Sequence, residues 1–313
     1  MKMELMAKGE NLIKVLVSGI KDYMKTCGLK SMVLGLSGGL DSTVCAALCS
    51  IAAKELKEEG YDAELIGASL PCNTNQRLEV SNALRTMSFC DKFFEVSLED
   101  AFQTMRKACE TRQDKESTPI SKGNIKARLR MIYLYNLASL YQGIVIDTDN
   151  MTECLLGFWT IHGDEGDFNP IGCLWKTEVY LLAENLVEYY IENGYKEDSM
   201  KVQALREAIS LTPTDGNGVM AGGDLAQIAP GHTYEDVDDI LTSTFVDGFD
   251  ISEKNIERLV RDYGEETVNR VLKRMKNSSF KRKHRPFIVD LDGMVKEKNE
   301  NVVSYKKRHH SDN

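Results

Sequence analysis

Four short apolar runs alternate with stretches of helical periodicity, and this alternation constrains the fold more than any other feature of the chain. Residues 32–36, 63–70, 92–96 and 143–147 read as strands, the third of them weaker than the others. Between and before them, residues 5–23, 41–57, 76–88, 98–110 and 121–141 carry helical spacing, the last with Ile125, Leu129, Ile132 and Leu137 on its apolar side. Strands separated by helices pair in parallel through right-handed crossovers. The expected fold class is therefore α/β: an open parallel sheet flanked by helices on both faces. Beyond residue 175 the pattern is mostly helical, with helices expected at 176–193, 201–209, 235–243, 252–263 and 265–276. The polar stretch 112–122 and the Gly-rich stretch 212–231 read as loops of the kind that order over a bound ligand. One domain is expected over 1–294, followed by a polar, frayed tail over 295–313.

Composition narrows the classes. At 313 residues and 42% hydrophobic, the chain can bury a large core without covalent staples. Its formal charge of −9 argues against a surface that embraces nucleic acid through phosphates. None of the eight cysteines forms a C-x-x-C pair; Cys45 and Cys49 share a helix face and are expected as buried free thiols in a reducing compartment. No signal-peptide core or membrane-length apolar run is present, so a cytoplasmic location and no membrane partner are expected.

Chemistry concentrates between the first strand and the helix after it, in Ser37-Gly38-Gly39-Leu40-Asp41-Ser42. Open parallel sheets bind ligands at the carboxyl ends of their strands, which is where this segment lies. The glycines let backbone N–H groups converge on an anion, and the following helix adds its positive end. Ser37 and Ser42 can donate hydroxyl hydrogen bonds to phosphate oxygens. Asp41 would repel a polyphosphate unless Mg²⁺ lies between them. No Gly-Lys-Ser/Thr follows, so this is not a Walker A loop.

The segment resembles the pyrophosphate-binding loop of the N-type ATP pyrophosphatases, which cleave ATP between its α- and β-phosphates. Several families share that loop. Gly123-Asn124-Ile125-Lys126-Ala127-Arg128-Leu129-Arg130-Met131 then resembles a helix of the NAD⁺ synthetases. Thr148-Asp149-Asn150 with Glu153, Gly163-Asp164, Asn169-Pro170, Lys176-Thr177, Pro213-Thr214, the segment from Thr233 to Asp239, and Phe280-Lys281-Arg282 follow in the same order. The resemblance spans roughly residues 5–290.

The resemblance implies an adenine-nucleotide α-hydrolase-like, Rossmann-like fold and an amide-forming ligase. Deamido-NAD⁺ would be adenylated by ATP and the adenylate displaced by ammonia. It implies that Gly35, Leu36, Ser37, Gly38, Gly39, Leu40, Asp41 and Ser42 hold phosphates, with Thr148, Lys176 and Thr214 also on ATP. Asp41 and Glu153 would ligate Mg²⁺, and Asp41 and Lys176 would act in catalysis. Arg128, Asp167 and Lys281 would contact deamido-NAD⁺. Arg130, two residues from Arg128 and so on nearly the opposite side of its helix, is left to a surface ion pair. A homodimer is implied as well. The first strand begins too early for a preceding amidase domain, so free ammonia is the expected donor unless a separate amidase subunit associates.

The sequence departs from the family pattern at Ile161, where a lysine is usual, and at Phe280, where a histidine is usual. Glu165-Gly166 and Asp215-Gly216 also break the familiar segments. These changes touch the dinucleotide contacts and leave the ATP loop intact. The rivals are another ATP pyrophosphatase, for example a tRNA-thiolating enzyme, and a nucleotide-binding module without catalysis. The first predicts a basic RNA face. The second has no use for paired metal-bridging carboxylates.

Overall fold

The computed structural model describes residues 9–111, 114–212, 223–245, 253–282, 287–289 and 295–297. The chain runs α1 (Gly9–Cys27), β1 (Ser31–Gly35), α2 (Leu40–Glu58), β2 (Glu64–Ser69), α3 (Arg77–Thr86), β3 (Lys92–Glu95), α4 (Glu99–Glu110), α5 (Pro119–Leu140) and β4 (Gly143–Val145). There follow α6 (Met151–Leu156), α7 (Lys176–Glu192), α8 (Met200–Ser210), α9 (Gly223–Ile228), α10 (Tyr234–Phe245), α11 (Glu253–Tyr263) and α12 (Glu265–Asn277). A hairpin of β5 (Phe287–Val289) and β6 (Val295–Glu297) comes last.

The main sheet is parallel, in the order β3-β2-β1-β4. Each face of β1 feeds a different core. Met32 and Leu34 pack with α1, α2, α7 and α8, whereas Val33 joins Ile66, Val145 and the apolar side of α5. Burial on both faces explains why these strands read as continuous apolar runs without alternation. A third core ties α6 to α10, α11 and α12 through Leu156, Ile240, Leu259 and Val271. The chain builds outward from β1 to β3 and then crosses to the other side of β1. The carboxyl ends of β1 and β4 therefore border a crevice at a topological switch point.

Four expectations needed correction. Ile132, assigned to the apolar side of α5, is 64% exposed. The loop expected at 112–122 ends early, because Thr118 accepts from the Ser121 N–H and Pro119 starts the helix. The stretch 212–231 includes α9. The strand expected through residue 147 stops at Val145, and only an isolated bridge from Ile146 to Phe168 prolongs it. Cys45 and Cys49 are buried and free, as expected. Among the described residues no helix is long and apolar enough to cross a membrane.

Candidate active site

The phosphate-loop segment turns at Gly38, whose φ is +83°. A Cβ there would lie 2.0 Å from the Glu79 carbonyl oxygen, so both the backbone angle and the approach of α3 require glycine. Buried Asn82 of α3 fixes the loop from below, donating to Gly38 O at 2.8 Å and to Ala204 O at 3.3 Å. The Ser37 and Ser42 hydroxyls lie 2.9 Å apart, and the Gly39 N–H donates to Ser37 Oγ. Leu36 and Leu40 turn into the core, so they can meet a ligand only through backbone.

Asp41 opens α2, and two partners from far along the chain meet it. Asn150 Nδ2 donates to Asp41 Oδ1 at 2.9 Å. Lys176 Nζ lies 2.5 Å from Asp41 Oδ2 and 3.2 Å from Glu153 Oε1. Asn150 and Glu153 form a reciprocal capping box at the start of α6: the Glu153 N–H donates to Asn150 Oδ1, and the Asn150 N–H to Glu153 Oε2. Each carboxylate thus offers one oxygen to Asn150 and one to the lysine. Lys176 is only 2% exposed. Burial alone would lower its pKa, but Asp41 and Glu153 override it and hold the ammonium protonated well above the ordinary lysine range.

Asp41 and Glu153 line a cavity of about 390 Å³ at the carboxyl ends of β1 and β4, with Lys176 and Asn150 buried behind them. Its walls include Gly35, Ser37, Ser42, Thr148, Asn124 and Arg130, and on the C-terminal side Phe158, Arg274 and Lys281. Its floor is acidic. Burial, together with Asp147, Asp164 and Glu153, pushes the Asp149 carboxyl well above the usual range. Asp164 is raised to about 7, chiefly by burial, although the Thr160 N–H and Lys281 pull the other way.

Of the residues the sequence assigned to the dinucleotide, only Lys281 stands in this wall. Its ammonium donates to the carbonyls of Gly157, at 2.7 Å, and Trp159. Arg128 is exposed and donates to Ile161 O at 3.2 and 3.3 Å. Asp167 is exposed and accepts from the Tyr135 hydroxyl at 2.8 Å. Arg130, which was left to the surface, instead lines the cavity and is held by Leu70 O and Asn75 Oδ1, each at 3.2 Å. Thr214 lies outside the described residues. Sequence reasoning also gave no role to Asn150, although its spacing to Glu153 is a capping-box signature. Arg274 was likewise missed: it sits 4.8 Å from the Phe158 ring and donates to Leu156 O at 2.7 Å.

Asp41 and Glu153 suit Mg²⁺. Among the described residues no group of three potential ligands gathers as a ready-made cage. Two converging carboxylates, with phosphate oxygens and waters completing the shell, match how this ion is usually held beside a nucleotide.

A family model described as NAD synthase matches residues 12–285. The NH(3)-dependent NAD(+) synthetase of Burkholderia ambifaria (strain MC40-6) is 33% identical over 256 residues, covering 79% of this chain and 82% of its own. That of Campylobacter jejuni subsp. jejuni serotype O:23/36 (strain 81-176) is 31% identical over 271 residues, covering 84% and 92%. Among solved structures, NMN synthetase from Francisella tularensis superposes with a TM-score of 0.65 at 25% identity, covering 88% of this chain and 95% of that one. The NH3-dependent NAD synthetase from Campylobacter jejuni subsp. jejuni NCTC 11168 gives 0.63 at 25% identity, covering 90% and 99%.

Proposed function

Because the chain belongs to the NAD synthase family, we propose that its cavity at the ends of β1 and β4 is the site where ATP activates deamido-NAD⁺ for amidation. The protein is an amide-forming ligase that converts deamido-NAD⁺ to NAD⁺ with ATP and ammonia. A carboxylate is a poor acyl donor, since its leaving group would be oxide. Attack of the nicotinate oxygen on the α-phosphorus forms an acyl adenylate and releases pyrophosphate. Ammonia then attacks the acyl carbon, and AMP leaves with the bonding electron pair.

The observation that carries the site assignment is the convergence of Asp41 and Glu153 on Lys176 beside the Gly38-Gly39 turn. Backbone N–H groups of the turn and the start of α2 receive phosphate oxygens. Lys176, held protonated by its two acids, supplies a point charge to the phosphates. Asp41 and Glu153 would hold Mg²⁺, which offsets phosphate charge during displacement at phosphorus. Thr148 and Thr214 belong to the nucleotide side of this reading. Arg128, Asp167 and Lys281 belong to the dinucleotide side.

The outer side of α5 exposes Ile132, Tyr135 and Leu140 on the helix that carries Arg128. A second copy of the chain covering this face makes the homodimer and places Arg128 near a subunit boundary. Light scattering is expected to give twice the chain mass, and Ile132→Glu to give a monomer. The free thiols and the lack of a membrane-length helix among the described residues accord with a cytoplasmic enzyme.

The test is NAD⁺ formation from deamido-NAD⁺, ATP and Mg²⁺, with ammonium or glutamine as donor. Ammonium is expected to support turnover and glutamine is not. Asp41→Asn is expected to fold and to lose turnover; undiminished turnover in this variant overturns the assignment of Asp41.

A further inference from the structure

Asp238 belongs to α10, in the third core, and does not line the cavity. Its residue is only 5% exposed, so its carboxylate must be satisfied from within the protein. Oδ1 accepts from the Thr152 hydroxyl at 2.5 Å. Oδ2 accepts from the Thr177 N–H at 3.0 Å and the Thr177 hydroxyl at 2.9 Å. Thr152 Oγ1 in turn accepts from the Lys176 N–H at 2.9 Å. Thr152 precedes Glu153 on α6, and Thr177 follows Lys176 on α7. One buried carboxylate therefore ties together the two helix starts that present the paired glutamate and lysine. At the start of α7, Glu178 of the first turn accepts from the N–H of the N-cap Trp175 at 2.9 Å, and Asp238 adds from another element a second negative group of the kind a helix start favours.

We propose that Asp238 is a positioning residue for the reaction, fixing Lys176 relative to Glu153 so that both meet the same ATP phosphates. The inference rests on the reading that Glu153 and Lys176 serve the nucleotide. A bonded Thr-Asp-Thr bridge sets a separation that packing alone leaves looser, because charge-assisted hydrogen bonds are directional. Replacing Asp238 by asparagine keeps the shape but turns an N–H₂ group toward donors, so at least one of these bonds is lost.

The experiment measures the dissociation constant of an unreactive ATP analogue with Mg²⁺ by calorimetry, beside steady-state kinetics and thermal melting. Asp238→Asn is expected to weaken analogue binding and lower kcat each about tenfold, the usual consequence of losing one bond to a buried charge. Its KM for deamido-NAD⁺ is expected to stay within about twofold of wild type. Asp239→Asn is the control for stability, since Asp239 turns to a different face of α10 and pairs with Arg258 and Tyr263. It is expected to lower the melting temperature with analogue affinity unchanged. Should Asp238→Asn fail to fold, Thr177→Ala removes one hydroxyl bond, keeps the backbone bond, and is expected to weaken analogue binding in the same direction. A folded Asp238→Asn or Thr177→Ala protein with wild-type analogue affinity overturns the inference. Glu153→Gln and Lys176→Met separate the two levels: if neither weakens analogue binding, the reading of the site itself has failed.

Discussion

The two sides of the cavity are built on different principles. On the β1–α2 side, Gly38, Gly39, Asp41 and Ser42 are near neighbours in the chain, and one turn places them all. On the opposite side, Asn150, Glu153, Lys176 and Lys281 are scattered along the chain and meet only after α6, α7 and α12 have packed. The first side is set by backbone geometry, a positive φ at Gly38 pressed against α3, which tolerates no side chain there. The second is set by paired charges and by carbonyls gripped from a distance. A backbone cradle is rigid and specific for anions, whereas a cluster of long-range pairs stands or falls with each partner.

The largest effect should come from breaking the assembled side. Lys176→Met removes the ammonium between Asp41 and Glu153, and kcat is expected to fall by at least about a thousandfold. Loss of a cation from two adjacent, partly buried acids also destabilises, so the melting temperature should drop in the same variant. Gly38→Ala attacks the local side. A positive φ and a Cβ 2.0 Å from a carbonyl oxygen predict a stability loss of ~3 kcal/mol by denaturant titration, with nucleotide affinity falling alongside.

Lys281→Met should be milder. It frees the carbonyls of Gly157 and Trp159, and KM for deamido-NAD⁺ is expected to rise about tenfold while ATP affinity changes little. An equal loss of both affinities would mean that the two sides are not separable. The last effect is confined to stability and its pH dependence: it concerns Asp164, whose folded pKa of about 7 lies above its unfolded value of roughly 3.9. Between those values the folded state binds more protons than the unfolded one, so this group's contribution to stability declines as pH rises toward 7. Asp164→Asn is expected to flatten that part of the stability profile and to melt higher than wild type at pH 8, with little difference at pH 4.

The same contrast explains what could be read from sequence. The parallel sheet was legible because β1 and β2 are buried on both faces and lie beside turn residues. Asp41 was legible because a carboxylate inside an anion-binding turn calls for a compensating cation. Lys176 and Glu153 came from the family resemblance, and nothing in their local spacing reveals that one ammonium touches two acids. Arg128 and Arg130 illustrate the limit. Helical geometry separated them correctly, but which one faces the cavity depends on Leu70 and Asn75, which precede them by more than fifty residues. Helix α6 was missed because six residues are too few for apolar periodicity to show. Asp238 lay in a recognised segment, but its partners are on two other helices.

The strand order β3-β2-β1-β4 also sets a timetable for synthesis on the ribosome. Strands emerge as β1, β2 and β3, so the phosphate turn can take shape while β1 still presents a bare edge on the side that β4 will fill. That edge, apolar on both faces, waits until residue 145 leaves the exit tunnel. During the interval the nascent chain offers a template for wrong pairing. The same crossing that creates the ligand crevice therefore leaves the strand that carries the phosphate turn unpaired on one side until the sheet is complete.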